Sequence, residues 1–419
     1  MKNRMKCGLL GRRLGHSYSP LIHSYLGEYD YELFEKEPDA VGAFIRSGSF
    51  DAINVTVPYK SAVMEHLDII GDSARRIGSV NTIVRTEDGK LLGENTDCLG
   101  FIYMMRRADI DVKGKKVLVL GSGGSSLAVR AALEYMEAGE VVVISRTGEN
   151  NYGNISKHAD AEVIVNTTPV GMYPECGKAP LSLDGFFKLY AVADLIYNPR
   201  MTELLFNAKE MRVKYVGGLS MLVAQAKAAA EIFCRSHIDD CVIEQIISDI
   251  ERRSENIVLV GMPGSGKSTV GKTLARILSR DFADTDEIVT KAKGRSIPEI
   301  FLTEGEEAFR SYEHDAISEA CKKSGFIIAT GGGAPTRENN YRPMKQNGRV
   351  VYLTRDPAEL SRDGRPLSAG ADMEKMYEKR RAFYEGCADV TVKVDKTPEL
   401  TAKKIIEALG YDRMTNGGN

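Results

Sequence analysis

The sequence has no apolar run that approaches the length of a membrane span, and its opening MKNRMKCGLL carries basic residues without the apolar core of a secretion signal. A cytoplasmic protein is expected. Charge of either sign is not in excess: 56 Lys and Arg against 58 Asp and Glu leave a net charge of −2. That balance gives no electrostatic footprint for nucleic acid or for an anionic membrane surface, so the expected ligands are small molecules. Paired cysteines are also missing. The 7 cysteines are scattered without a Cys-x-x-Cys, which reads as reduced thiols with no assigned role. What is present, 43% hydrophobic and 27% charged residues over 419 positions, describes two or three ordinary globular domains.

The strongest local signal lies at 257–269, IVLVGMPGSGKST, where an apolar run of strand length breaks into a glycine-rich turn and then a helix pattern. Gly261, Gly264 and Gly266 let successive backbone N–H groups turn inward on a polyphosphate, Lys267 reaches the terminal phosphates, and Ser268 can hold Mg²⁺. This is a Walker A loop, with Gly264, Ser265, Gly266, Lys267, Ser268 and Thr269 as the expected nucleotide contacts. A nucleotide domain of this kind begins its own fold, so about 255 residues before it and about 150 from there on have separate work.

From the chain start, residues 6–10 form a short apolar strand, followed by SYSP at 17–20. The hydroxyls of Ser17 and Ser19 can face an anionic ligand from a strand-to-helix loop. Helix capping is the other reading, and the commoner one for serine before an apolar periodic run. His16 and His23 read as structural. The next strand, AINVTVP at 52–58, runs into Lys60, and SVNTIV at 79–84 and GENTDCLG at 93–100 add polar groups beyond it. Asn81 and Asn95 can bond hydroxyls, while Asp97 can pair with Lys60 and hold its ammonium where a carbonyl oxygen must be protonated.

KKVLVL at 115–120 is a buried parallel-strand pattern entering GSGGSSLAVRAALEYM. Gly121, Gly123 and Gly124 supply the tight turn and open helix N-terminus that a dinucleotide pyrophosphate needs. The following strand ends in Ser145, Arg146 and Thr147, where an acidic residue commonly holds the ribose hydroxyls of NAD. Arginine there suits a 2′-phosphate, hence NADP. Glu149 and Asn150 come next, not a second base. Two more strands, in AEVIVNTTPVGM and AVADLIYNP, carry loops at the end of a doubly wound sheet where ligands bind.

Taken in order, SYSP, NVTVPYK, SVNT, NTD, GSGGSSLA, SRT, NTTPVGM, DLIYNP and GGLSMLVAQA resemble the shikimate dehydrogenase family over nearly the whole first half. The resemblance implies an α/β substrate domain at 1–105, to which helices at 221–251 return, and a Rossmann-like NADP domain at 106–220. It implies that Ser17, Ser19, Thr56, Asn81, Asp97, Tyr197 and Gln225 line the shikimate site, with Lys60 transferring the proton beside Asp97. It also implies that Gly121, Ser122, Gly123, Gly124, Ser125, Ser145, Arg146, Thr147 and Gly218 contact NADP.

A helical pattern from 221 resumes at 238–250, with Ile238, Val242, Ile246 and Ile250 four apart on one face. RRSEN at 252–256 then reads as a short linker. Past the Walker A loop, Asp284 and Asp286 stand two apart at a strand end and so on one side of it. Paired carboxylates beside a nucleotide point to one for Mg²⁺ and one for the acceptor hydroxyl, with an exposed turn as the other reading. Arg310 and Glu313 follow on a helix, Gly331, Gly332 and Gly333 expose N–H groups after the strand FIIAT, and arginines recur at Arg362, Arg365 and Arg380.

GMPGSGKST, DTD, AFRSYE, GGGA, RPL and RRAFY resemble the shikimate kinase family. The resemblance implies a P-loop kinase domain with a parallel sheet at 257–411, ahead of a disordered tail at 412–419. Asp286, Arg310, Gly332 and Arg380 would bind shikimate, Ser268 and Asp284 would serve Mg²⁺, and Arg365 would contact ATP from a short lid. The two resemblances support each other, because the ketone carbon that the one family reduces bears the hydroxyl that the other phosphorylates. They imply a bifunctional enzyme that uses NADP(H), ATP and Mg²⁺. Two other readings fit less well. Arg146, the DTD and GGG segments and Arg380 argue against a quinate dehydrogenase joined to another polyol kinase, and the intact Lys60, Asp97, Lys267 and Asp286 argue against a metabolite sensor without catalysis.

Overall fold

A computed structural model describes residues 4–15, 17–360 and 373–411. His16, the lid arginines Arg362 and Arg365, and the tail at 412–419 lie outside the described residues. The chain divides into two compact units, Met1–Ile250 and Glu251–Asn419.

The first unit holds two sheets. β1 (Lys6–Gly11), β2 (Asp30–Glu35), β3 (Ala52–Val55), β4 (Ile69–Ile70), β5 (Thr82–Arg85) and β6 (Leu91–Glu94) pair in the order β2-β1-β3-β5-β6-β4. β1 to β3 run parallel, and β5 runs antiparallel to both β3 and β6. Leu10, Ile53, Val55 and Ile83 fill one core, while Ala52 and Val84 join Ile22 and the helix Leu219–Cys234 in a second.

The second sheet is wholly parallel, as expected for strands that are buried on both faces. It contains β7 (Lys116–Leu120), β8 (Glu140–Ile144), β9 (Val163–Asn166), β10 (Ala191–Asp194) and β11 (Lys214–Gly217), in the order β11-β10-β9-β7-β8. The order reverses between β7 and β9, which opens a crevice at their carboxyl ends. The turn after β7 carries Gly121 at φ +103°, and the loop after β9 carries Thr167 and Thr168.

The second unit repeats this logic with β12 (Asn256–Val260), β13 (Phe282–Asp284), β14 (Ile327–Ala329), β15 (Gly348–Thr354) and β16 (Val390–Lys393). These are parallel in the order β13-β14-β12-β15-β16. Here the switch lies between β12 and β14, and the loops that leave those two strands are the Walker A loop and Gly331–Gly333.

The expected helix at 238–250 begins instead at Cys241, whose N–H donates to Asp239 Oδ1 at 2.8 Å, and runs through Ser254. Its buried stripe is Ile243, Ile246, Ile247 and Ile250, with Val242 and Ile238 only partly covered; each fully buried isoleucine contributes roughly 1.5 to 3 kcal/mol. Residues 252–256 are therefore not a linker: 252–254 are helical and Asn256 already opens β12. Composition misled because the polar side chains are used. Asn256 Nδ2 donates to Cys321 O at 3.1 Å and Lys323 O at 2.6 Å, and its Oδ1 accepts from the Phe326 N–H at 2.8 Å.

The end of the helix is held within the second unit. Arg280 donates to Arg252 O at 2.5 Å and Glu255 O at 2.9 Å, and the Gly325 N–H donates to Ser254 O at 2.8 Å. A second unit expressed from Glu251 is thus expected to be more stable than one expressed from Asn256. The difference should be about 2 to 4 kcal/mol, because three donors lose their acceptors. Equal urea midpoints for the two truncations would show that residues 251–255 contribute nothing.

Candidate active sites

In the first unit, Lys60 lies one turn beyond β3, and Asp97 opens the helix Asp97–Arg107. Lys60 Nζ stands 2.6 Å from Asp97 Oδ2, with the two side chains 12% and 6% exposed. The other Asp97 oxygen accepts from Asn81 Nδ2 at 2.9 Å, and Asn81 Oδ1 accepts from the Thr96 N–H at 2.8 Å. Gln225 Oε1 faces the same Asn81 amide at 3.3 Å. Gln225 reaches that point from helix Leu219–Cys234, because Gly100 lets two helices close up: a Cβ at Gly100 would stand 2.7 Å from Met221 O and 2.9 Å from Gln225 Cβ. Lys60, Asn81, Asp97 and Gln225 thus form one network, with Thr96 as an additional member.

Asn95 is used internally, donating to Ser79 O at 2.9 Å and accepting from the Asp97 N–H at 3.0 Å, so it orients Asp97 instead of offering an amide to a ligand. Thr56 follows β3, donating its N–H to Leu10 O at 2.9 Å. Neither Ser17 nor Ser19 is the cap of helix Ser19–His23, whose N-cap position is Tyr18. Ser17 Oγ accepts from the Ser19 N–H at 3.2 Å, and the Tyr18 ring meets that of Tyr197 at 5.6 Å, bringing Tyr197 to the SYSP segment. Burial raises the Tyr197 phenol above its usual range. His23 is structural: it stacks on Tyr31 at 4.0 Å, bonds Tyr29 OH at 2.7 Å, and is lowered to about 3 by burial.

The glycine turn after β7 adjoins this network. A Cβ on Gly124 would stand 3.7 Å from Lys60 Cβ, and one on Gly121 would stand 2.8 Å from Thr167 Oγ1. Ser122 and Gly123 are exposed, and helix Gly124–Tyr135 begins with Gly124 and Ser125, N–H groups outward. After β8, the Ser145 N–H donates to Asn150 O at 3.1 Å and closes a loop on which Arg146 and Thr147 are exposed. Gly218 sits where a side chain would overlap the carbonyl of Leu195.

In the second unit, Lys267 opens helix Lys267–Leu278 and donates to Gly261 O at 2.9 Å and Met262 O at 3.0 Å. Ser268 Oγ donates to Asp284 Oδ2 at 2.6 Å, and Asp284 Oδ1 accepts from the Asp286 N–H at 3.0 Å, capping helix Thr285–Lys293. Gly264, Ser265 and Gly266 complete the loop, and Thr269 follows in the first helical turn.

Facing it, the Gly331–Gly333 backbone is crowded from all sides. A Cβ on Gly331 would stand 2.7 Å from Asp286 Oδ1 and overlap Glu313 Oε1, one on Gly332 would stand 2.6 Å from Pro263 Cδ, and one on Gly333 would overlap the Arg310 guanidinium. Arg310 Nη1 donates to Glu313 Oε2 at 2.7 Å. Burial raises Glu313, opposed by Arg310, Arg380 and Lys267, and its Oε1 is buried without a hydrogen-bond partner among the described residues. Gly332 O accepts from Arg380 at 3.3 Å and Tyr384 OH at 2.5 Å.

The arrangement matches known proteins in both halves. A family model described as shikimate dehydrogenase substrate binding domain matches residues 9–83, and one described as shikimate kinase matches residues 263–410. The shikimate dehydrogenase (NADP(+)) of Clostridium beijerinckii is 37% identical over 264 residues, covering 58% of this chain and 97% of the relative. The chain belongs to the shikimate dehydrogenase family. Beyond the dehydrogenase unit it carries a shikimate kinase domain. Two solved structures agree with the dehydrogenase fold. One is a chorismate mutase/shikimate 5-dehydrogenase fusion protein from Clostridium acetobutylicum, at 36% identity and TM-score 0.56, over 59% of this chain and 97% of that one. The other is the Thermus thermophilus shikimate 5-dehydrogenase in complex with NADP(H) and shikimate, at 31% identity and TM-score 0.54, over 58% and 99%.

Of the residues expected from the sequence, the structure brings Lys60, Asn81 and Asp97 together in the first unit and gathers Asp286, Arg310 and Arg380 around Gly331–Gly333 in the second. The motif reading gave no role to Glu313, although three positions after Arg310 on a helix is the spacing of an ion pair. Tyr384 carried no signal beyond its place in RRAFY.

Proposed function

We propose that this bifunctional shikimate-pathway enzyme reduces 3-dehydroshikimate to shikimate with NADPH in its dehydrogenase unit and phosphorylates shikimate with ATP in its kinase unit. The observation that carries the first half is the buried Lys60–Asp97 pair beside the glycine turn. Bound NADPH supplies the hydride. Lys60 holds its ammonium toward the carbonyl oxygen and gives it a proton, while Asp97, fixed by Asn81 and the Asn95 side chain, keeps that ammonium charged and aimed. Asn81, Gln225, Tyr197, Thr56, Ser17 and Ser19 would orient the substrate around it. Gly121, Ser122, Gly123, Gly124, Ser125, Ser145, Thr147 and Gly218 would receive the dinucleotide.

In the kinase unit Asp286 orients or deprotonates the acceptor hydroxyl, and the guanidinium groups of Arg310 and Arg380 hold the anionic substrate over the Gly332 backbone. Lys267 neutralises charge on the transferring phosphoryl group. The paired oxygens of Ser268 and Asp284 suit Mg²⁺, which takes one or two protein oxygens and completes its shell with phosphate and water. Bound Mg²⁺ would screen the phosphate charge.

The direct test mixes the full chain with 3-dehydroshikimate, NADPH and MgATP and follows NADPH loss and ADP formation together. Both are expected, with ADP dependent on the first reaction. NADPH loss without ADP formation would remove the kinase half of the reading. Arg146 carries the cofactor choice, since its exposed guanidinium is the one base in its segment and suits a 2′-phosphate. Arg146→Ala is expected to narrow the preference for NADPH over NADH by about 1 to 3 kcal/mol in kcat/KM. An unchanged ratio would place the specificity elsewhere.

A further inference from the structure

Asp194 ends β10 with 0% of its surface exposed, and the mechanism above does not use it. Its Oδ1 accepts from the Ile196 N–H at 3.1 Å and from Asn166 Nδ2 at 3.0 Å, and its Oδ2 accepts from Thr202 Oγ1 at 2.7 Å. Two of these partners lead to different walls of the dehydrogenase crevice, and the third caps a helix. Asn166 ends β9, and its Oδ1 accepts from the N–H and hydroxyl of Thr168 at 3.0 and 2.7 Å. Thr167 and Thr168 back the glycine turn, where a Cβ on Gly121 would stand 2.8 and 3.0 Å from them. Ile196 precedes Tyr197, which meets Tyr18. Thr202 caps helix Glu203–Glu210, accepting from the Leu205 N–H at 3.3 Å.

We propose that Asp194, as a carboxylate, is a positioning residue for the reduction, tying the Tyr197 wall to the loop that backs Gly121 so that substrate and dinucleotide meet in one geometry. The inference rests on the reading that Tyr197 and Gly121 belong to the reductase pocket. The Thr202 bond requires the charged form. A protonated Asp194 would donate to Thr202 Oγ1, which already accepts from Leu205, and the Thr202 hydroxyl hydrogen would lose its acceptor. Among the described residues, the groups that bond Asp194 are an amide, a hydroxyl and a backbone N–H, and no charged group is among them. Burial raises it to about 6 against those three hydrogen bonds. Asp194 is therefore ionised at neutral pH and becomes neutral as the pH falls through about 6, so the tie is lost on the acid side.

Asp194→Asn keeps the shape and removes the charge. In the full chain it is expected to lower kcat/KM for reduction roughly tenfold, raise KM for both 3-dehydroshikimate and NADPH, and flatten the acid limb of the pH profile, with phosphorylation of supplied shikimate unchanged. Thr202→Val and Thr202→Ser give a milder pair that tests the same tie. The Thr202 hydroxyl favours the carboxylate, so the valine variant should move the acid limb up by about one pH unit while serine leaves it in place. Kinetic constants and an acid limb unchanged in both Asp194→Asn and Thr202→Val would overturn the proposal. Failure of the unaltered chain to reduce 3-dehydroshikimate would instead overturn the functional reading on which it rests.

Discussion

Replacing Lys60 by alanine is expected to lower kcat for reduction of 3-dehydroshikimate by roughly 10²-fold or more while phosphorylation of added shikimate stays intact. The ammonium is 2.6 Å from Asp97 and is the proton donor in the mechanism proposed above. Its removal takes away both the donor and the charge that Asp97 balances. An uncompensated buried Asp97 would also destabilise the unit, so the fold of the variant is checked by its urea midpoint. A folded variant with wild-type KM and collapsed kcat identifies proton transfer; one that reduces substrate at near-normal rates excludes Lys60. The kinase rate of the same chain serves as the internal control.

Asp286→Asn is expected to reduce shikimate phosphorylation by about 10²- to 10⁴-fold and to leave MgATP affinity close to that of the parent. The two carboxylates have different neighbours. Asp284 faces Ser268 and caps a helix through the Asp286 N–H, whereas the Asp286 carboxylate lies over Gly331 next to Glu313. The nucleotide contacts proposed above belong to the Walker A loop and the start of helix Lys267–Leu278, whereas Asp286 belongs to helix Thr285–Lys293. Nucleotide titration together with single-turnover ADP release reads the two effects apart. If nucleotide affinity collapsed while phosphorylation at saturating ATP survived, the acceptor and metal roles of the pair would have to be exchanged.

Both assignments start from residues adjacent to strand ends, and those were readable because local sequence determines them. Lys60 follows the strand it depends on, Asp97 opens its own helix, and the Walker A glycines define their own turn. Gln225 is a different case. It lies 144 positions from Asn81 and meets it only because Gly100 lets two helices approach, so spacing alone could not place it and the family resemblance did. Asp194 and Asn166 were missed for another reason. In the sequence they read as the polar ends of apolar strands, which is where loops begin, and only the parallel pairing of β9 with β10 sets them side by side. The polar run at 252–256 was misread in the opposite direction. Its polar composition reads as a linker, yet Asn256 is buried with its amide fully engaged.

The helix Cys241–Ser254 gives that misread junction a consequence for where the chain can be divided. Its isoleucine stripe is keyed to the first unit, and the carbonyls of Arg252 and Ser254 are keyed to donors of the second, with Glu255 alone between the last helical residue and the first strand residue. Recombinants that exchange kinase halves between such fusions should keep the stability of that half when residues 251–255 travel with it, because its own donors use their carbonyls, and should lose part of it when the crossover falls at Asn256.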